Sequence, residues 1–114
     1  MTAEFDLARI AELQQVMGAD AATILASMLA SMTSAIEEVE TALTAGDLNR
    51  VTQAAHRCRN DALMLGAKEL QEALTAIEAA TRDHDESRAR EALTQLTAAW
   101  PATREQLAEA SRRG

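Results

Sequence analysis

Apolar residues recur at every third or fourth position over most of the chain, which is the spacing of one face of an α-helix. The longest run of this pattern predicts a helix with Asp20 as its N-cap and Gly46 at its end. A shorter helix is predicted before it, from Asp6 to Met17, and ends at Gly18. The core stripe of the long helix covers about five turns and consists of Leu25, Met28, Leu29, Met32, Ile36, Val39 and Leu43.

Two cap residues delimit a third predicted helix, Leu48–Leu65. Asp47 can accept a hydrogen bond from its first turn, and Gly66 can adopt the left-handed conformation that often ends a helix. A fourth and a fifth helix are predicted on either side of a polar loop at residues 82–85. Their predicted core residues are Leu70, Ala73, Leu74 and Ile77, followed by Ala89, Ala92, Leu93, Leu96 and Trp100.

Short connections between long amphipathic helices make sequence neighbours antiparallel. The pattern therefore predicts an all-α fold, an up-down antiparallel four-helix bundle with a short additional N-terminal helix. Residues 1–114 contain no internal repeat or linker, so one domain is expected. Pro101 lacks a backbone donor and is expected to kink or end the fifth helix, and the tail Ser111–Gly114 is expected to fray.

The composition agrees with this fold and limits the partners. Hydrophobic residues make up 47% of the chain but aromatic residues only 2%, so strand-forming residues are scarce. The formal net charge of -7 argues against nucleic acid as a partner, because an acidic surface repels phosphate backbones. The single cysteine, Cys58, cannot form an internal disulfide, which favours a reducing, cytoplasmic setting.

Neither a membrane nor a metal is expected. No stretch approaches the ~18 apolar residues that a membrane span requires. The acidic N-terminus, with Glu4 and Asp6, lacks the pattern of a secretory signal. Asp83, His84 and Asp85 are too few and too close in sequence to form a metal site, so we expect no cofactor.

His56 is the residue most suggestive of chemistry. With about 100° of rotation per residue, it falls outside the arc of predicted core residues of the third helix and faces solvent. Arg59 and Asn60 lie one turn further on, and Leu63 lies two turns further on the same face. An imidazole is largely neutral near pH 7, and its free nitrogen can attack phosphorus.

Arginines make the surroundings of this histidine locally basic in an acidic chain. Arg50, Arg57 and Arg59 share its helix, and their guanidinium groups can hold a phosphoryl group. No carboxylate lies three or four residues from His56, so no general base for hydrolysis is evident nearby. This pattern favours a site that keeps a phosphoryl group over one that hydrolyses it.

The segment from His56 to Gly66 resembles the motif of histidine-containing phosphotransfer (HPt) domains of two-component phosphorelays. That motif has an exposed histidine, a lysine three residues later, a glycine at the fourth and another at the tenth. His56 and Gly66 match its first and last positions. Arg59 stands in place of the lysine, Asn60 replaces the nearer glycine, and Asp61 replaces a small residue.

The resemblance implies a phosphocarrier without catalytic turnover of its own, with a phosphohistidine intermediate. His56 would be the phospho-acceptor, supported by the positive charge of Arg59, and would exchange its phosphoryl group with receiver-domain aspartates. Asn60 departs from the motif, and we expect it to give a supporting polar contact. Leu63 and Arg57 would contact the partner, which would be a response-regulator receiver domain, a hybrid sensor histidine kinase, or both. The resemblance implies a monomeric, cytoplasmic signal-transduction protein without a cofactor, in which Gly66 has a structural role.

The sequence leaves two other hypotheses about the function open. In the first, the bundle is a helical adaptor that binds a receiver or kinase without transferring phosphate, because the Asn60 side chain blocks the approach. In the second, the bundle is purely structural and oligomerises through an apolar stripe.

Overall fold

The computed structural model describes residues 7–113, and these residues form helices and turns. The five α-helices are α1 (Leu7–Met17), α2 (Ala21–Thr44), α3 (Leu48–Leu65), α4 (Lys68–Arg82) and α5 (Glu86–Arg113). Helices α2 to α5 pack against each other in chain order, and α5 also packs against α2, which closes a four-helix bundle. The predicted fold, including the short N-terminal helix, is confirmed.

Burial of one face of each bundle helix explains the apolar spacing. All residues of the predicted α2 stripe are buried except Leu29, which is partly buried against the same core. The predicted core residues of α4 and α5 are also buried, except Leu93, which is half-buried. The largest completely buried side chains are Leu25, Met32, Leu43, Leu65, Leu70, Leu74, Ile77, Leu96 and Leu107.

Both predicted caps of α3 are present. The Asp47 carboxylate accepts a hydrogen bond from the backbone N–H of Arg50 at 3.2 Å. Gly66 has φ 69° and ψ 28°, a left-handed conformation that is costly for residues with a Cβ atom. Its N–H donates to the carbonyl of Leu63, and the next N–H donates to the carbonyl of Ala62. The helix that carries His56 is therefore fixed at both ends.

Asp20 occupies the predicted N-cap position of α2, but its side chain does not cap the helix. Residues Gly18–Asp20 form a 3-10 turn between α1 and α2, and Asp20 has helical backbone angles of φ -86° and ψ -6°. An N-cap side chain reaches the first turn from an extended backbone, so from this conformation Asp20 makes no capping hydrogen bond.

Of the two outcomes expected at Pro101, a kink or an end of the fifth helix, the end does not occur. The helix continues to Arg113, so Ser111–Arg113 are helical, while Gly114 lies outside the described residues. The Pro101 ring is exposed, whereas Trp100 and Leu107 are buried on the two sides of it. Packing of these residues stabilises the helix across the missing backbone donor.

The expectation of no membrane-length apolar stretch also needs correction. Residues Ala11–Thr44 contain a helical stretch with a mean hydropathy of 1.3, long and apolar enough to cross a membrane by length and composition. The 3-10 turn Gly18–Asp20 interrupts this stretch, and the apolar stripe of α2 packs into the bundle core. Core packing therefore accounts for the apolar stripe of α2.

Candidate functional site

His56 lies in the middle of α3 and projects from the bundle. Its side chain is 56% exposed, whereas the preceding Ala55 and the following Cys58 are completely buried. Its Nε2 atom makes no hydrogen bond with any residue in the part of the chain that the structure describes. One ring nitrogen is thus open to a reaction partner, on a helix that is capped at both ends.

A carboxylate from α4 contacts the other ring nitrogen. Glu78 is only 8% exposed, and its Oε1 lies 3.2 Å from Nδ1 of His56. Its Oε2 accepts a hydrogen bond from Nε of Arg59. Nη2 of Arg59 lies 3.1 Å from the same Nδ1 of His56. The three side chains therefore form one connected cluster across the α3–α4 interface.

The Glu78 contact corrects the sequence interpretation that no general base is evident near His56. That interpretation considered only residues three or four positions from His56, which are its neighbours on the same helix. Glu78 belongs to the next helix, α4. The sequence does contain an indication that Glu78 is partly buried, because Glu78 directly follows the core residue Ile77. A glutamate at the edge of a core face is rarely buried unless it is paired, and here Arg59 is the partner.

Two threonines hold the same interface together next to this cluster. The hydroxyl oxygens of Thr52 on α3 and Thr81 on α4 lie 2.6 Å apart and share a hydrogen bond. The Thr81 hydroxyl is also 3.0 Å from the carbonyl oxygen of Glu78. These contacts fix the turn of α4 that carries Glu78 relative to the turn of α3 that precedes His56.

The three arginines of α3 differ in their contacts. Arg50 binds Glu38 on α2 through two hydrogen bonds of 2.9 Å each, and this contact raises the pKa of Arg50 and lowers the pKa of Glu38. Arg59 binds Glu78 beside the histidine. Arg57 is exposed and forms no ion pair with the described residues. The structure thus brings Arg59, but not Arg50, to His56.

The remaining predicted residues lie on the surface of α3. Asn60 is exposed and makes no side-chain hydrogen bond within the part of the chain that the structure describes. Leu63 is 57% exposed, so α1 does not cover it. Met64, which the sequence interpretation did not single out, is 44% exposed beside it. Exposed apolar side chains therefore extend along the helix beyond His56.

Asp61 points away from His56, as its position on the helix predicts. Its carboxylate faces Ser31 on α2. Burial raises the pKa of Asp61, while the Ser31 hydroxyl and the Arg57 charge oppose that effect. Its Oδ2 is buried without a hydrogen-bond partner. The added negative charge of Asp61 is therefore placed at the α2–α3 contact rather than at the histidine.

Other candidate groups offer no competing site. Cys58 is completely buried, and desolvation raises its pKa to about 12, so its thiol is protonated and unreactive. His84 lies in the α4–α5 turn with φ 54°, and the neighbouring Asp83 binds Arg88. Within residues 7–113, no group of three potential metal ligands comes together.

The comparisons with known proteins agree with this architecture. A sequence model of the Hpt domain matches residues 23–110. The crystal structure of histidine-containing phosphotransfer protein B (HptB) from Pseudomonas aeruginosa PAO1 is similar, with a TM-score of 0.89 and 22% sequence identity. That similarity covers 97% of this chain and 96% of the other. No curated protein sequence matches the chain. Because the domain match covers most of its length, the chain belongs to the Hpt domain family.

Proposed function

We propose that this chain is a phosphocarrier of a multistep phosphorelay, in which Nε2 of His56 carries a phosphoryl group between receiver-domain aspartates. As an Hpt domain, the chain is a phosphotransfer protein of two-component systems. The proposal that His56 carries the phosphoryl group rests on the position of its imidazole. It projects from a capped helix with Nδ1 beside a buried carboxylate and Nε2 open to a partner.

The reaction proposed at His56 is an in-line phosphoryl transfer. The lone pair of Nε2 forms a P–N bond while the P–O bond to the receiver aspartate breaks, and the electron pair leaves with the aspartate carboxylate. The reverse step returns the phosphoryl group to a second receiver. By family resemblance the receiver supplies the metal ion and the acidic residues, while this chain supplies a positioned imidazole.

The neighbours of His56 have separate roles in this proposal. Glu78 orients the ring through Nδ1, as carboxylates do for other functional histidines. Arg59 places positive charge near the transferred group. Asn60 is a polar neighbour one turn away, and Leu63 with Arg57 forms part of the surface that contacts the receiver or kinase in the cytoplasm.

A transfer assay tests the proposal. The chain is mixed with a panel of phosphorylated receiver domains, and the wild type is compared with His56→Gln. His84→Gln is the matched control, because the chain has two histidines and His84 lies outside the cluster. An acid-labile, base-stable label on the wild type and on His84→Gln, but not on His56→Gln, is the expected result. Labelling of His56→Gln would refute the proposed acceptor.

A further inference from the structure

Nδ1 of His56 lies within hydrogen-bond distance of both an acceptor and a donor. Oε1 of Glu78 is 3.2 Å away and Nη2 of Arg59 is 3.1 Å away. A neutral imidazole carries one proton on its two nitrogens. Nδ1 can therefore donate to Glu78 or accept from Arg59, but it cannot do both at once.

The two contacts stabilise different tautomers. When Nδ1 donates to Glu78, Nε2 has a free lone pair and is a nucleophile. When Nδ1 accepts from Arg59, the proton is on Nε2, which then cannot attack phosphorus. We propose that Arg59 and Glu78 form a tautomer switch, in which Arg59 holds the unphosphorylated His56 in the non-nucleophilic form. This inference rests on the proposed function and adds regulation to the same site.

The way Arg59 is bound makes this switch physically feasible. Its Nε is fixed to Oε2 of Glu78, which anchors the base of the guanidinium group. The planar guanidinium carries five N–H donors and moves as one rigid group, so it can pivot about the Nε–H···Oε2 contact and carry Nη2 toward a new anion. An incoming phosphoryl group attracts Nη2, which leaves Nδ1. The contact with Glu78 then favours the Nδ1–H form.

The protons and bonds balance in this scheme. Water takes the proton from Nε2 and another water delivers one to Nδ1, so the imidazole stays neutral. The P–N bond then forms at Nε2 as the P–O bond of the receiver aspartyl phosphate breaks. Nδ1 keeps its proton next to Glu78, and the electron pair of the P–N bond returns to Nε2 when the phosphoryl group departs.

Nitrogen-15 NMR of the unphosphorylated full chain tests the switch, because it distinguishes the two tautomers of each histidine. The measurement is made at a pH where both imidazoles are neutral, and His84 is the internal reference. In the wild type, we expect His56 to be mainly the Nε2–H form. A mainly Nδ1–H form would overturn the proposal without the use of any variant.

The variant experiment removes each partner in turn. Arg59→Met removes the donor, and we expect the ratio of Nδ1–H to Nε2–H to rise about tenfold. Glu78→Gln removes the charged acceptor and should lower the ratio. Arg50→Met is the matched control, since Arg50 is also bound to a glutamate of a neighbouring helix, and it should leave the ratio unchanged. An unchanged or lower ratio in folded Arg59→Met would refute the switch.

The NMR result is independent of the transfer assay. A chain that accepts phosphate on His56 but shows no change of tautomer in Arg59→Met keeps the proposed function and loses the switch. A chain with the expected tautomer ratios that never accepts phosphate on His56 loses the proposed function.

Discussion

The carboxylate of Glu78 lies 3.2 Å from Nδ1 of His56, although 22 residues separate the two in sequence. The contact joins α4 to the exposed histidine of α3, and Glu78 is itself mostly buried. A buried carboxylate that contacts Arg59 and His56 can stabilise the packing of α3 against α4 as well as orient the histidine.

Glu78→Gln is expected to destabilise the fold. The substitution keeps the shape of the side chain but removes the charge that binds Arg59, so we expect a loss of about 1–3 kcal/mol in the free energy of unfolding. Urea unfolding followed by circular dichroism measures this loss. Glu38→Gln is the matched control because it breaks an exposed arginine pair, and its effect should be smaller. Equal losses in both variants would contradict the structural role of Glu78.

Leu63→Ala is expected to weaken binding of a receiver domain without reducing stability. The side chain is 57% exposed, so its truncation removes contact area at the surface rather than core packing. An interface residue of this kind contributes about 1–2 kcal/mol, and the Kd should rise roughly tenfold. Isothermal titration calorimetry measures the Kd. Val16→Ala, at an exposed apolar position on α1, should leave it unchanged.

Asn60→Gly tests whether the Asn60 side chain obstructs the partner. Removal of an exposed side chain one turn from His56 should increase the rate of phosphoryl transfer from a receiver, measured by rapid-quench labelling. Glycine inside a helix also costs about 1 kcal/mol of stability relative to alanine. Asn60→Ala is therefore the control, and it should give most of the same increase. A transfer rate equal to that of the wild type in both variants would show that the substitution is neutral.

Asp61 is expected to make the fold less stable as the pH rises. Burial raises its pKa in the folded state above the ordinary value of 3.8, so the folded protein binds this proton more tightly than the unfolded chain. The contribution of Asp61 to stability therefore falls as the pH increases from about 4 through the raised pKa. Asp61→Asn should remove this dependence and raise the urea midpoint at pH 7. The control variant Asp20→Asn, at an exposed position, should change neither the pH dependence nor the urea midpoint.

Local patterns in the sequence were sufficient to predict most of the fold and the exposure of His56. The α2 stripe, the Asp47 cap and the left-handed Gly66 depend on residues within a few positions of each other. Glu78 could not be placed beside His56 from such patterns, because their contact depends on how α4 packs against α3. The same reason explains why α5 continues past Pro101, because packing of distant residues compensates for the one backbone donor that proline lacks.

The glutamate partners of Arg50 and Arg59 make α3 less basic than its composition suggests. An approaching receiver would encounter a molecule with a formal charge of -7, and a phosphoryl group on His56 adds about -2 more. Salt at physiological ionic strength screens charges beyond about 8 Å but leaves contacts of 3 Å largely intact. Encounter with an acidic partner should therefore become faster as the ionic strength rises, while the contacts within the His56 cluster stay the same.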